Sequence, residues 1–338
     1  MDKFLMFSKE DQNITIMNTA KQFNMPEAII EKDFWVCYML HYLFTEFKYK
    51  DFICFKGGTS LSKVYHCIER FSEDIDLSLD WSIIGVLKEE AYIPRSNRQQ
   101  DIYNKKMNEK TEIYIEKILL PIIQNDFNNK PIKNFKLYVD ETNPHTICFQ
   151  YPRVYQDSSI LQNIRLEFGV LAEPVPSNIK TIKPYLAKRY PHIFIDEIKV
   201  KTVDIQRTFF EKITILHREA NRLNGNYPRR YSRHYYDIYQ MIKNNLAYES
   251  LENIELLKMV IDFKKKFYPC NWAKYDEILE GKCHLVPNAI AIKTFSQDYD
   301  NMKSMFYSYY PPFNEIISVL SQFEKVMNKK LLQETVKI

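Results

Sequence analysis

Two aspartates, Asp74 and Asp76, stand in the segment DIDLSLD (74–80), where polar and apolar residues alternate. A strand has a side-chain period of two, so both carboxylates project from one face. Ile75, Leu77 and Leu79 project from the other face and can enter a core. Carboxylates held this close repel each other, and a divalent cation between them relieves that repulsion. Sites with few protein oxygens suit Mg²⁺ (or Mn²⁺), which also binds substrate phosphates. Upstream, FICF (52–55) reads as a short buried strand broken by Gly57-Gly58. Paired glycines let backbone N–H groups approach a ligand closely. A helix starting directly afterwards offers unsatisfied donors to a phosphate. The pattern predicts a cap at Thr59 or Ser60 and an apolar stripe of Leu61, Val64, Tyr65 and Ile68. Ser60 and Lys63 then share a face away from that stripe, from which Lys63 can reach a triphosphate. Alone, the glycine pair also fits a tight turn, and the aspartate pair also fits a solvated strand face continued by Asp80. In succession they converge on phosphoryl or nucleotidyl transfer, with Gly57, Gly58, Thr59, Ser60 and Lys63 on the phosphates and Asp74 and Asp76 on the metal.

A third carboxylate would complete such a site. In NIRLEFGV (163–170) Arg165 and Glu167 share the face opposite Ile164, Leu166 and Phe168, which makes Glu167 the candidate. The alternative is a surface glutamate paired with Arg165 or with a neighbouring strand. A second cluster lies in RTFFEKITILHREANR (207–222) and RRYSRHYYDIYQM (229–241). Lys212 falls at the edge of the stripe formed by Ile205, Phe209, Ile213, Leu216 and Ala220, and an inward-leaning lysine needs a partner. That partner is either a nucleotide phosphate or a carboxylate such as Glu211 or Asp237. Asp237 itself can pair with Arg233. Arg229, Arg230, Arg233 and His234 interleave with Tyr231, Tyr235 and Tyr236. This is either a grip for a nucleic-acid backbone and its bases or an ordinary solvated helix face.

The elements that must carry these residues follow from periodicity. Residues 9–48 read as helical, with Ile30, Phe34, Val36, Cys37, Leu40 and Leu43 near helical spacing. Residues 101–127 form a long amphipathic helix with Ile102, Ile113, Ile115, Ile118, Leu119 and Ile122 as its apolar residues. Strand-like runs follow at 133–139, 146–151 and 163–170, and 174–203 reads as Pro-punctuated and irregular. From Asp204 onward the pattern is helical, at 204–223, 232–243, 250–268, 272–279 and 312–330. The order implies an α+β domain with N-terminal helices over 1–200, then a mostly helical domain over 201–338.

The formal charge of +4 permits an anionic partner without requiring one. None of the six cysteines forms a CxxC or CxxH pair, which argues against a structural zinc site or a disulfide framework and fits a cytoplasmic protein. The N-terminus lacks the apolar stretch of a signal peptide. No apolar run reaches the roughly 18 residues of a membrane span, so no membrane partner is expected.

The run KGGTSLSK…RFSEDIDLSL resembles the AbiEii family of nucleotidyltransferase toxins, which includes the MenT proteins. EKDFWVCYML (31–40), FFEKITILHRE (209–219) and RHYYDIYQM (233–241) resemble it too, in the same order. The likeness spans about residues 25–245. It implies a polymerase-β-like mixed sheet with helices, NTP as substrate with Mg²⁺ or Mn²⁺, and the role of toxin in a type IV toxin–antitoxin or abortive-infection system. A cognate antitoxin and an RNA acceptor, the tRNA 3′ end in some members, come with it. By position, Gly57, Gly58, Thr59, Ser60 and Lys63 match the nucleotide loop, and Asp74 and Asp76 the metal pair. Lys212 matches the essential lysine, Asp237 the late aspartate, and Arg70 and Ser72 the residues ahead of the aspartate pair. The superfamily at large often has Gly-Ser here and a shorter span to the aspartates, and Glu167 falls on no family motif. The implied reaction moves NMP from an NTP to an acceptor hydroxyl, with Glu167 or Asp237 as base or third ligand and Lys63 and Lys212 neutralising the triphosphate. The rival readings are kinase-type γ-phosphate transfer and a non-catalytic NTP- or RNA-binding module.

Overall fold

The computed structural model describes residues 1–335 apart from 73, 158–160, 162, 224 and 307, so Glu73, just ahead of the aspartate pair, lies outside the described residues. The chain divides into two compact units. The first comprises Met1–Tyr65 and Phe71–Val203, and the second His66–Arg70 and Asp204–Ile338. Five residues of the span between the glycine pair and the aspartate pair thus belong to the second unit.

The first unit is built on a seven-stranded mixed sheet. Its strands are β1 (Ile53–Lys56), β2 (Asp74–Leu79), β3 (Lys136–Asp140), β4 (Asn143–Gln150), β5 (Ile164–Gly169), β6 (Ser177–Ile182) and β7 (Ile198–Val203), in the order β3-β4-β5-β2-β1-β7-β6. β1 runs antiparallel to β2 and parallel to β7, and β2 runs parallel to β5. Alternation separates the two faces. Phe55, Ile75, Leu77, Ile147, Phe149, Leu166, Phe168 and Val200 enter one continuous core. The helix Glu27–Thr45 packs over that face, and its Ile30, Phe34, Val36, Cys37, Leu40 and Leu43 are all buried. Asp74, Asp76, Arg165 and Glu167 are left on the opposite face. This helix also buries three consecutive charges. Glu31 accepts hydrogen bonds from the backbone N–H groups of Val154 and Tyr155, at 2.8 and 3.0 Å. Lys32 donates to the Leu161 carbonyl at 2.7 Å, and Asp33 accepts from Tyr185 N at 2.7 Å.

The second unit is helical. Its longer helices are Ile205–Ala220, Ser232–Lys243, Ile254–Phe267, Ala289–Asp300 and Phe313–Thr335. The expected α+β class therefore holds: a mixed sheet with helices, then a helical half.

Several local expectations change. The helix after β1 is Gly57–Lys63, with Lys56 at its cap position and no side-chain cap. Thr59 and Ser60 lie inside it, where their hydroxyls donate to the Asp74 and Gly57 carbonyls. Because it ends at Lys63, Ile68 is not on its stripe. The region 174–203 is not irregular throughout, since it supplies β6, the short helix Tyr185–Arg189 and β7. The helix beginning at Asn97 buries Gln100, Asn104, Met107 and Thr111 and continues through a π turn (Ile115–Leu119) to Asn128, so Ile102 and Ile113 are exposed. The helix Ala289–Asp300 had no counterpart in the sequence reading.

Candidate active site

Strand register assembles the carboxylates. Asp76 lies opposite Lys56 on β1 and opposite Glu167 on β5, while Asp74 lies opposite Arg165. Three acids from two adjacent strands therefore share one sheet face, with Glu167 directly beside Asp76. Burial raises the Glu167 carboxyl, and the charges of Asp76 and Asp74 raise it further, against the pull of Arg165. Arg165 is the cation among these acids. Its Nε lies 3.3 Å from Glu167 Oε1 and 3.9 Å from Asp74 Oδ1, and its Nη1 bonds Asp140 at the end of β3. Thr142 and Arg165 hold the Asp140 carboxyl below the usual range.

Gly57 fits against this cluster for a steric reason. It adopts φ +78°, a left-handed conformation that favours glycine. A Cβ there would lie 1.8 Å from Asp76 Oδ2, so the Asp76 carboxylate occupies the space a side chain would need. Lys63, expected to face a triphosphate, instead forms an ion pair with buried Asp33, and its Nζ sits 4.1 Å from the centre of the Tyr185 ring.

The residues present fit a hard divalent cation. Asp74 Oδ1 is buried and accepts no hydrogen bond from the described residues, and the neighbouring carboxylates repel one another. Among the described residues no three metal-ligating side chains converge into a ready-made cage. Mg²⁺ takes one or two carboxylates and completes its shell with water and substrate phosphates.

In the second unit Asp237 is fully buried between two cations. Arg70 Nε and Nη2 donate to its two oxygens at 2.8 and 2.9 Å, and Lys212 Nζ lies 2.9 Å from Oδ2. Burial alone would raise this carboxyl, but Arg70 and Lys212 hold it well below the usual carboxylate range. His234, kept neutral by burial and by Lys212, presents Nδ1 to Lys212 at 3.2 Å. The carboxylate partner considered for Lys212 is thus Asp237, and the cation on Asp237 is Arg70 where Arg233 had been considered. The basic-aromatic run is not a stacking surface, because His234, Tyr235 and Tyr236 are buried and the Tyr236 hydroxyl accepts from Glu69 N. Only Arg229 and Arg230 of that run are fully exposed.

Sequence reasoning underrated Arg165, taken only as a partner for Glu167, and missed Asp140 and Lys56. The turn-forming Asp140-Glu141-Thr142 after an alternating run was the available signal for Asp140.

The sequence matches the family described as "Nucleotidyl transferase AbiEii toxin, Type IV TA system" over residues 40–328. The match extends well past residue 245 and takes in most of the helical unit. Among curated proteins none is similar enough in sequence to match. Seven chains of solved structures match. One is MenT4, a nucleotidyltransferase toxin of Mycobacterium tuberculosis H37Rv, at 13% identity and a TM-score of 0.47, covering 94% of this chain and 97% of that one.

Proposed function

From the premise that the chain belongs to the AbiEii family of nucleotidyltransferase toxins of type IV toxin–antitoxin systems, we propose that it moves NMP from an NTP to a hydroxyl of an RNA, the 3′ end of a tRNA. Membership implies an NTP substrate and an antitoxin partner. The metal, the RNA and the individual residue roles are our reading. The observation that carries it is the register that sets Glu167 beside Asp76 and Asp74, with Gly57 against the Asp76 carboxylate.

Asp74 and Asp76 would hold Mg²⁺ or Mn²⁺, which when bound neutralises charge on the reacting phosphate and makes the acceptor hydroxyl more acidic. Glu167, opposite Asp76, takes the hydroxyl proton or serves as a further ligand. The acceptor oxygen bonds the α-phosphorus, the α–β phosphoanhydride bond breaks, and pyrophosphate leaves. The bare Cα of Gly57 makes room for the Asp76 carboxylate, and Gly58, Thr59 and Ser60 at the start of the following helix offer backbone N–H groups to the triphosphate. Lys63 is assigned to holding the helix through Asp33. The roles of Lys212 and Asp237 rest on the family resemblance. Their geometry favours Asp237 as the residue that positions Lys212 and Arg70, because both its oxygens are engaged. That leaves Glu167 the better base.

The test is incubation with Mg²⁺, each α-³²P-labelled NTP in turn and total tRNA. Label should enter the RNA for at least one NTP and disappear with Asp76→Ala. No incorporation with any NTP overturns the RNA reading.

A further inference from the structure

Where β4 ends, the first unit holds a cavity of about 550 Å³. Trp35 and Tyr151 touch its lining but belong to the core, buried and stacked on each other with centroids 5.8 Å apart. Lys9, Lys133 and Arg153 surround the cavity together with the Gln150 amide, and among the described residues no carboxylate lines it. Glu31, whose charge is felt by Lys9 and Arg153, has its two oxygens engaged by the Val154 and Tyr155 N–H groups. The hollow is therefore cationic and large enough for a nucleotide unit.

Register fixes where it lies within this unit. β4 pairs with β5 through Cys148↔Arg165 and Phe149↔Ile164, and β5 pairs with β2 through Arg165↔Asp74. Gln150 thus leaves the sheet at the end where Asp74 opens β2 and Gly57 follows β1. It does so two strand spacings away, about 10 Å along the sheet, and the cavity lies at the sheet's end, on the side of the helix Glu27–Thr45 that carries Trp35.

We propose that this cavity binds the sugar-phosphate backbone of a single-stranded stretch of the acceptor RNA, a few nucleotides from the reacting hydroxyl. The inference rests on the reading of the chain as an RNA nucleotidyltransferase. Cations without lining carboxylates attract phosphate. The Gln150 amide beside them can bond a base edge, which an acidic peptide would leave unused.

Lys133 and Arg153 are exposed, and an unchanged thermal midpoint would show that reversing Arg153, whose charge reaches buried Glu31, leaves the fold intact. Fluorescence anisotropy would compare the wild type, Lys133→Glu/Arg153→Glu and the charge-keeping Lys133→Arg/Arg153→Lys, with labelled tRNA, a short unstructured RNA and a fluorescent NTP. Charge reversal should weaken both RNAs by at least about 10-fold and make the salt slope shallower by about 2. NTP affinity should stay unchanged, and the charge-keeping variant should bind RNA as the wild type does. Undiminished RNA affinity after charge reversal overturns the proposal, whether or not NTP affinity falls. Competition by poly-glutamate equal to that by RNA also overturns it, in favour of an acidic polypeptide. If charge reversal removes RNA binding while the wild type transfers no nucleotide, the cavity stands and the nucleotidyl-transfer reading fails.

Discussion

Asp76→Ala should reduce transfer by at least about 100-fold, because losing even an outer-shell partner of a metal costs about 10- to 100-fold. The same change relieves carboxylate repulsion, so the thermal midpoint should not fall. The aspartate pair was legible because strict alternation fixes which side of a strand each residue faces. Its third member was legible only as a candidate, since the Asp76↔Glu167 pairing is a long-range property. Gly57→Ala should inactivate for a different reason. It forces a left-handed backbone costing about 1–2 kcal/mol and displaces the Asp76 carboxylate. Calorimetry should show a lowered midpoint for Gly57→Ala and none for Asp76→Ala. Asp237→Ala leaves Arg70 and Lys212 buried without their carboxylate and should cost about 3–5 kcal/mol. Asp237 also sets a pH dependence. Its folded pKa is depressed, so its contribution is complete above the unfolded value of about 3.9. It is lost as pH falls below that value, and denaturant midpoints should drop there in the wild type more than in Asp237→Asn.

The central helix Glu27–Thr45 shows what periodicity can and cannot supply at the level of elements. Its apolar residues announced a buried helix, but nothing in their spacing showed that Glu31, Lys32 and Asp33 would be buried as well. Each is tolerated because a distant segment satisfies it. Glu31→Ala should therefore cost about 1–3 kcal/mol, the penalty of leaving buried N–H groups without acceptors, read as a lowered urea midpoint. β6 and β7 were hidden by Pro174, Pro176, Pro184 and Pro191, which break the region into pieces although KVKTV alternates as a strand should. The long helix from Asn97 was found, but its buried side opens with Gln100 and Asn104, joined to each other at 2.8 Å. Hydrophobic spacing therefore named the exposed Ile102, Ile113 and Ile118 together with the buried Ile115 and Leu119. A glycine in left-handed backbone let the helix after β1 start two residues before the expected cap.

Across the whole molecule, the chain interrupts its own first unit, sending His66–Arg70 into the second before returning for the aspartate strand. Continuous sequence windows could not show this. It gives Arg70 a place on Asp237 while Ser72, two residues on, belongs with the sheet. A formal charge of +4 is too small to identify an RNA-binding protein, and the placement of cations is more informative than their sum. All six cysteines are free, and no described helix is long and apolar enough to cross a membrane. The central claim is that chemistry occurs at the α-phosphate, on the face that carries Asp74, Asp76 and Glu167. Chromatographic separation of the products from α- and γ-labelled NTP, with Mg²⁺ and acceptor RNA, tests it most directly. The account predicts labelled pyrophosphate from the γ-labelled NTP and α-label in the acceptor, both abolished by Asp76→Ala. Formation of NDP with γ-label in the acceptor, or turnover that survives Asp76→Ala, would contradict it.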